Sequence, residues 1–470
     1  MSQSCNFERG ALVAVLTAQP LGGTLDYLAP EGGCDAGDFV EVPLGPRRVL
    51  GVVWGSGAGG FDLAKAKAVN RVLDLAPMDV AMRGFLERAA AYTLTPLPAM
   101  LRLATRAPRL MDPPGAQKVY RPGDATPARM TDARARVLAV LREHGGMGFG
   151  LGDLCDLAGV SGGVVKGLVA QGALIEAEAP RDAPYPRLDP DRPGHALNED
   201  QAAAAAALCD GVRAGRYGTT LLRGVTGSGK TEVYLDAVAE TLRQGRQALV
   251  LLPEIALTTE FIDRVEARFG AKPAEWHSGA GQAERRRIWK MAGEGGVQLV
   301  VGARSALFLP FRDLGLIVVD EEHDPSYKQE DGVLYHARDM AVLRASMGDA
   351  RVVLASATPS LESWANAEAG KYDRLDLAAR FGVAALPRMR AIDMRAEALP
   401  ASRWVSPTLR AAVTARLAAG EQAMLFLNRR GYAPVTVCRA CGHQIGCEHC
   451  DARMVEHRFQ NRLVCHQCGE

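Results

Sequence analysis

Bulk charge is the first thing this chain lacks. Its 470 residues carry 55 Lys and Arg against 54 Asp and Glu, a formal net charge of +1. A global basic field is excluded, so any contact with nucleic acid has to come from local patches. Long apolar runs are missing too, and nothing in the chain reads as a span across a bilayer. Residues 11–18 are apolar enough for a signal-peptide core. They follow Glu8-Arg9, lack a small-residue cleavage site and run into more strand-like sequence, so a buried strand is expected there. A cytoplasmic protein with no membrane partner is the expectation. Disulfides are not expected without an export signal. Instead, six of the ten cysteines crowd into the last 33 residues as CxxC pairs, a pattern that favours metal.

What is present is ordinary globular composition, 48% apolar and 23% charged, with length for about three domains. Residues 10–16, 24–28, 38–43 and 48–54 are predicted strands between Gly/Pro turns, and a helical stretch follows at 78–95. Beyond a Pro-rich break at 108–114 the pattern turns helical at 131–144, 151–158 and 163–171. A short strand at 172–176 completes the outline of a winged helix, a fold that binds either DNA or protein. Residues 179–196 read as a Pro-rich linker. Apolar runs then recur at 219–223, 248–252, 297–301, 316–319, 352–355 and 423–427. Separated by helical segments, they imply a parallel sheet covered on both faces.

Gly224-Val225-Thr226-Gly227-Ser228-Gly229-Lys230-Thr231 fits the phosphate-loop pattern GxxxxGK[ST], between an apolar run and a helical segment. Glycines let backbone N–H groups curl around phosphates, and the helix start adds a positive dipole end. Lys230 is expected to reach the terminal phosphates and Thr231 to ligate magnesium. About 90 residues on, a buried run ends in Asp320-Glu321-Glu322-His323. Asp320 is placed to hold the magnesium and Glu321 to orient the attacking water. His323 is placed to sense the γ-phosphate or relay its state to the DNA side. Ser356-Ala357-Thr358 ends another buried run and fits the element that couples ATP state to DNA grip.

Taken together, residues 224–234 (GVTGSGKTEVY), 253–258 (PEIALT), 277–279 (HSG), 303–308 (ARSALF), 320–324 (DEEHD), 326–329 with 335–339 (SYKQ, YHARD), 356–362 (SATPSLE) and 426–432 (FLNRRGY) resemble the PriA family of replication-restart DNA helicases, in its order and spacing. The resemblance runs from about Ala14 to the last residue. It implies an α/β fold. A β-rich domain for a DNA 3′ end would span 1–105 and a winged-helix domain 106–178. An ATP-binding RecA-like P-loop lobe with a parallel sheet would span 197–404. The start of a second RecA-like lobe would cover 405–437 and a zinc-binding insert 438–470. By the same resemblance Gln201 reads the adenine edge and Arg304 contacts the DNA backbone. Tyr327 and Tyr335 would stack on bases from an aromatic-rich loop at 326–339. Asp26 would accept a hydrogen bond from a terminal 3′-OH while Tyr27 walls the base. Read without the resemblance, Asp26-Tyr27 is a turn beside a core tyrosine.

The cysteines form three CxxC knuckles, Cys438/Cys441, Cys447/Cys450 and Cys465/Cys468. Two knuckles complete a tetrahedral zinc site of four thiolates, and zinc-ribbon spacing pairs 447/450 with 465/468. The family has a fourth knuckle that partners the first. Here it would lie past Glu470, so Cys438/Cys441 keep two ligands; His443 or His449 filling in is the alternative, and the simpler reading is a chain cut short. The later motifs of the second lobe, with their arginines, are missing for the same reason.

The leading expectation is an ATP-dependent 3′→5′ DNA helicase requiring Mg2+ and Zn2+. Its partners would be branched and single-stranded DNA, primosome and helicase-loading proteins, and single-stranded DNA-binding protein. The competing expectation is a fork-binding scaffold that turns over little ATP. A different two-lobe motor, such as a restriction translocase or repair helicase, is the third.

Overall fold

A computed structural model describes residues 6–59, 65–113, 115–143, 148–180, 182–253, 259–377, 388–397, 399, 405–426, 441, 443–449, 454–457 and 462–464. They fall into two compact units, Met1–Val383 and Ala384–Glu470.

The first unit begins with a sheet of short strands, Leu12–Thr17 (β1), Leu25–Leu28 (β2), Phe39–Leu44 (β3), Arg47–Ser56 (β4) and Arg71–Val72 (β5). The order is β2-β1-β4-β3-β5 and every pairing is antiparallel. Alternation along the strands sends Val13, Val15, Val40 and Val53 to one face. The opposite face, with Leu16, Phe39 and Val52, packs on helices Val80–Tyr92 (α1) and Leu97–Ala104 (α2). The helical stretch expected at 78–95 is α1, and α2 follows just beyond it. Leu94 takes a left-handed φ of 52°, and Pro96 and Pro98 open the second helix, where a missing N–H costs nothing. The Trp289 indole donates to the Ala104 carbonyl at 2.6 Å, so α2 shares its core with the following sheet domain.

Next come Ala116–Pro122 (β6), Asp132–Glu143 (α3), Leu151–Ala158 (α4), Gly162–Ala170 (α5) and Leu174–Pro180 (β7). β6 pairs antiparallel with β7 along its whole length. Val137, Leu141, Leu154, Val165 and Leu168 close a small core against this hairpin, the architecture of a winged helix. β6 was not foreseen, because its Lys, Arg and Gln mask its alternation.

The largest domain is an α/β sandwich. Its strands are Gly218–Gly224 (β8), Gln247–Leu251 (β9), Ala274–Trp276 (β10), Leu299–Gly302 (β11), Leu314–Asp320 (β12), Arg351–Ser356 (β15) and Asp373–Leu377 (β16). Between β12 and β15 lies a two-residue hairpin, Lys328–Gln329 (β13) with Tyr335–His336 (β14). The seven-stranded sheet has the order β10-β11-β9-β12-β15-β8-β16, parallel throughout. Its five interior strands are the apolar runs read from the sequence. The edges were missed, since β10 has three residues and β16 is charged and mostly exposed. Helices Glu199–Arg213 (α6), Lys230–Arg243 (α7), Thr259–Phe269 (α8), Gln282–Glu294 (α9), Ala337–Met347 (α10) and Leu361–Glu368 (α11) complete it. Two hydrophobic clusters lie on the two faces, one containing Leu249, Ile317 and Leu354, the other Val250, Val318 and Val353.

The second unit holds helix Pro407–Ala418 (α12), capped by Ser406, and a hairpin of Val455–His457 (β17) and Arg462–Val464 (β18). The strand expected at 423–427 is not formed: residues 421–426 adopt no regular structure, and Leu427 lies outside the described residues. A parallel strand takes its hydrogen bonds only from neighbours in a sheet. No such neighbour exists among the described residues of this unit.

Candidate nucleotide-binding and motor site

Sheet order positions the site. β12, β15 and β8 are adjacent and parallel, so their carboxyl ends bring residues 320–323, 356–358 and 224–231 to one edge. Ligands in open α/β sheets sit at that edge.

The loop after β8 is built around glycine. Gly229 has φ +83°, and a Cβ there would fall 2.3 Å from Gln201 Nε2. At Gly224 a Cβ would meet Ser228 Oγ at 2.4 Å. Lys230, the first residue of α7, is buried and its ammonium donates to the Gly224 carbonyl at 3.0 Å. Ser228 Oγ is buried without a partner. An orphaned hydroxyl inside a glycine cradle that leads into a helix start fits a phosphate group.

The cavity over this loop has a volume of about 510 Å3, and Thr226, Lys230, Thr231, Asp320 and Glu321 all line it. Asp320 and Lys230 therefore face one space. One Asp320 oxygen accepts from the Tyr234 hydroxyl at 2.9 Å and the other from the Glu321 N–H at 3.0 Å. Burial pushes the Asp320 carboxyl above the usual carboxylate range, while the Tyr234 hydrogen bond and the Lys230 charge pull the other way. A desolvated carboxylate that shares a cavity with Thr231 has the chemistry to hold a hard divalent cation. Glu321 is held at a left-handed φ of 46°, rare for a residue with a side chain. His323 Nδ1 lies 2.8 Å from Ser356 Oγ, which also accepts the Thr358 N–H at 3.0 Å. Motif and strand end are thereby joined.

Gln201 lines the same cavity, but its amide already has partners. Oε1 accepts the Asn198 N–H and the Asn198 side chain accepts the Gln201 N–H, each at 2.9 Å, a capping box that starts α6. Nε2 donates to the Ser228 carbonyl at 2.8 Å. Gln201 thus braces the phosphate loop itself. Leu197 also lines the cavity, as do His195 and Arg264, which were not singled out from the sequence.

Among the residues assigned to DNA, the tyrosines are placed differently from expectation. Tyr327 is fully buried, and its hydroxyl lies 3.0 Å from the Leu251 carbonyl and 2.6 Å from the Asp320 carbonyl. Tyr335 is buried edge-on against Phe308, with ring centroids 5.1 Å apart. Tyr327 offers no face to a base, so its stacking role is corrected: both rings complete the cluster beneath β9 and β12, while Tyr335 also lines a cavity of about 500 Å3 with Lys328, Gln329 and Leu334. Tyr27 is likewise a core residue of the N-terminal sheet, its hydroxyl donating to the Pro43 carbonyl at 3.0 Å. Asp26 remains half-buried at that sheet, where it accepts the Gly59 N–H at 2.9 Å. Arg304 Nη1 donates to the Ser326 and Lys328 carbonyls at 2.6 and 3.1 Å, clamping the start of the loop at 326–339.

Of the cysteines, Cys438, Cys450, Cys465 and Cys468 lie outside the described residues. Cys441 is exposed, and Cys447 Sγ accepts the His449 N–H at 3.4 Å.

Phosphate loop, acidic strand end and parallel sheet define a helicase lobe of the P-loop class. The family model described as "DEAD/DEAH box helicase" matches residues 198–367. Two further models are specific: "3'DNA-binding domain (3'BD)" at 13–106 and "PriA DNA helicase Cys-rich region (CRR) domain" at 447–470. Curated relatives named "Replication restart protein PriA" agree. That of Rickettsia felis is 46% identical over 273 residues, 58% of this chain and 41% of the relative. That of Bacillus subtilis (strain 168) is 40% identical over 333 residues, 70% and 41% of the two chains. That of Chlamydia pneumoniae is 38% identical over 348 residues, 72% and 46%. The chain belongs to the PriA family, and it spans less than half the length of these relatives.

Proposed function

We propose that this chain carries the Mg·ATP-binding lobe of a replication-restart DNA helicase that moves 3′→5′ and acts on stalled or branched forks to start primosome assembly. The observation that carries the reading is the single cavity shared by Lys230, Thr231 and Asp320. Bound Mg·ATP supplies the phosphoryl group whose transfer to water releases the free energy for movement. Around it Lys230 and the N–H groups of 226–231 hold phosphate oxygens, and Thr231 and Asp320 hold the metal. Glu321 orients the attacking water. His323, through Ser356, reports the state of the site to the end of β15. Polarity, fork preference and partners (loading proteins, single-stranded DNA-binding protein) rest on family membership. The same holds for a zinc site of Cys447, Cys450, Cys465 and Cys468, with Cys438 and Cys441 as ligands of a second.

The test is DNA-stimulated phosphate release by the 470-residue chain and by a longer chain extended past Glu470, each with Lys230→Ala as control. Release in either that vanishes with Lys230→Ala supports the motor reading. Fork binding without turnover in both favours the scaffold alternative.

A further inference from the structure

Glu322, the third residue of the acidic motif, is tied by four donors and has no role in the chemistry above. It is completely buried. Its Oε1 accepts the Ser360 N–H at 2.7 Å. Its Oε2 accepts the Ser360 and Ser363 hydroxyls, both at 2.9 Å, and Arg338 Nη1 at 3.3 Å. Its own N–H donates to the Ala355 carbonyl at 3.1 Å. Arg338 is buried as well, and also reaches Ser360 Oγ at 2.6 Å and Asp339 at 2.9 Å. Three segments converge on this carboxylate: the turn after β12, the start of α11, and the start of α10 immediately after the β13–β14 hairpin.

The residue just before it is Glu321, in its left-handed conformation. Strain of that kind persists only where the surroundings over-determine it. Asp320 is fixed on one side by Tyr234 and Tyr327, and Glu322 is fixed on the other by four donors. A buried charge pair is weak evidence of stabilisation by itself, and a defined registry role is the better-attested use.

We propose that Glu322 and Arg338 are positioning residues that hold the Asp320–Glu321 turn in its metal-binding conformation, and that displacement of the β13–β14 hairpin reaches the nucleotide site through this pair. The inference rests on the Mg·ATP reading of the cavity. In Glu322→Gln the serine hydroxyls can rotate to serve an amide, but the Ser360 N–H on one oxygen and Arg338 on the other are fixed donors, so the amide nitrogen must face one of them. Either orientation breaks one of the two links that tie the turn to α10 and α11.

The test measures binding of a fluorescent ATP analogue to the whole chain with and without Mg2+. The ratio of the two affinities reads the metal site without requiring turnover. Glu322→Gln and Arg338→Gln are each expected to lower that ratio about tenfold while leaving metal-free affinity unchanged, the order set by releasing one strained residue. The double variant should lose no more than either alone, and Arg338→Lys should keep most of the ratio. A wild-type ratio in either Gln variant, with only a lower melting temperature, overturns the proposal and leaves the pair structural. If Glu322→Gln does not fold, Arg338→Gln decides by the same criterion. A wild-type chain that shows no Mg2+ enhancement overturns the nucleotide reading itself, a different failure.

Discussion

Tyr327→Phe separates a core role from a DNA role with one atom. The ring is buried and Phe keeps its shape, so packing should survive. What is lost is a hydroxyl proton shared between the Leu251 and Asp320 carbonyls, at the ends of two adjacent strands. Leaving a buried acceptor unsatisfied costs roughly 1–3 kcal/mol. In a domain of this size that lowers the melting temperature by about 2–10 °C. Trp276 and Trp289 share a core with Tyr327, so tryptophan fluorescence during a thermal ramp reports the right transition. Single-stranded DNA affinity should be unchanged, because a fully buried ring has no face for a base. Stacking on a base would instead contribute about 1–3 kcal/mol, largely indifferent to the hydroxyl. Wild-type melting in Tyr327→Phe, with a tenfold or greater loss of DNA affinity in an equally stable Tyr327→Leu, would refute the core assignment.

Four more outcomes are expected. Gly229→Ala should weaken ATP binding at least tenfold, since the position holds a left-handed φ that a Cβ disfavours and the new Cβ collides with the Gln201 amide; an isothermal titration checks it. Magnesium competes with a proton for Asp320, whose carboxyl is pushed up by burial. The Mg2+ enhancement of ATP binding should therefore fade, as pH drops, above the ordinary aspartate value of about 3.9. In the nucleotide-free chain the same shift has the opposite sense: the folded state holds the proton more tightly than the unfolded one, and that contribution is lost as pH rises. Asp320→Asn should therefore melt higher than wild type near neutral pH. Cys447→Ser should lower zinc content measured by atomic emission, and unchanged metal would contradict the proposed pairing.

The interior of the large sheet was legible because five runs such as Leu316–Val319 are apolar on both faces, a signal that periodicity reads directly. The phosphate loop was legible because its glycines have steric reasons visible in the sequence pattern alone. The edge strands β10 and β16 were not, being short or charged. The aromatic loop misled for another reason. A tyrosine in a polar loop suits a stacking platform and a core plug equally, and only the fold reveals that Tyr327 turns inward toward Leu251. Tyr234 and Glu322 were missed because their roles depend on partners 86 and 38 residues away, which no local pattern announces.

The central claim is that Lys230 and Asp320 serve one bound Mg·ATP. Titration of a fluorescent ATP analogue, with Mg2+ or EDTA, into wild-type, Lys230→Ala and Asp320→Asn chains tests it directly. The expected result is loss of binding in Lys230→Ala under both conditions, and in Asp320→Asn an affinity in Mg2+ that falls to the EDTA level. Full Mg2+ enhancement in Asp320→Asn would contradict it.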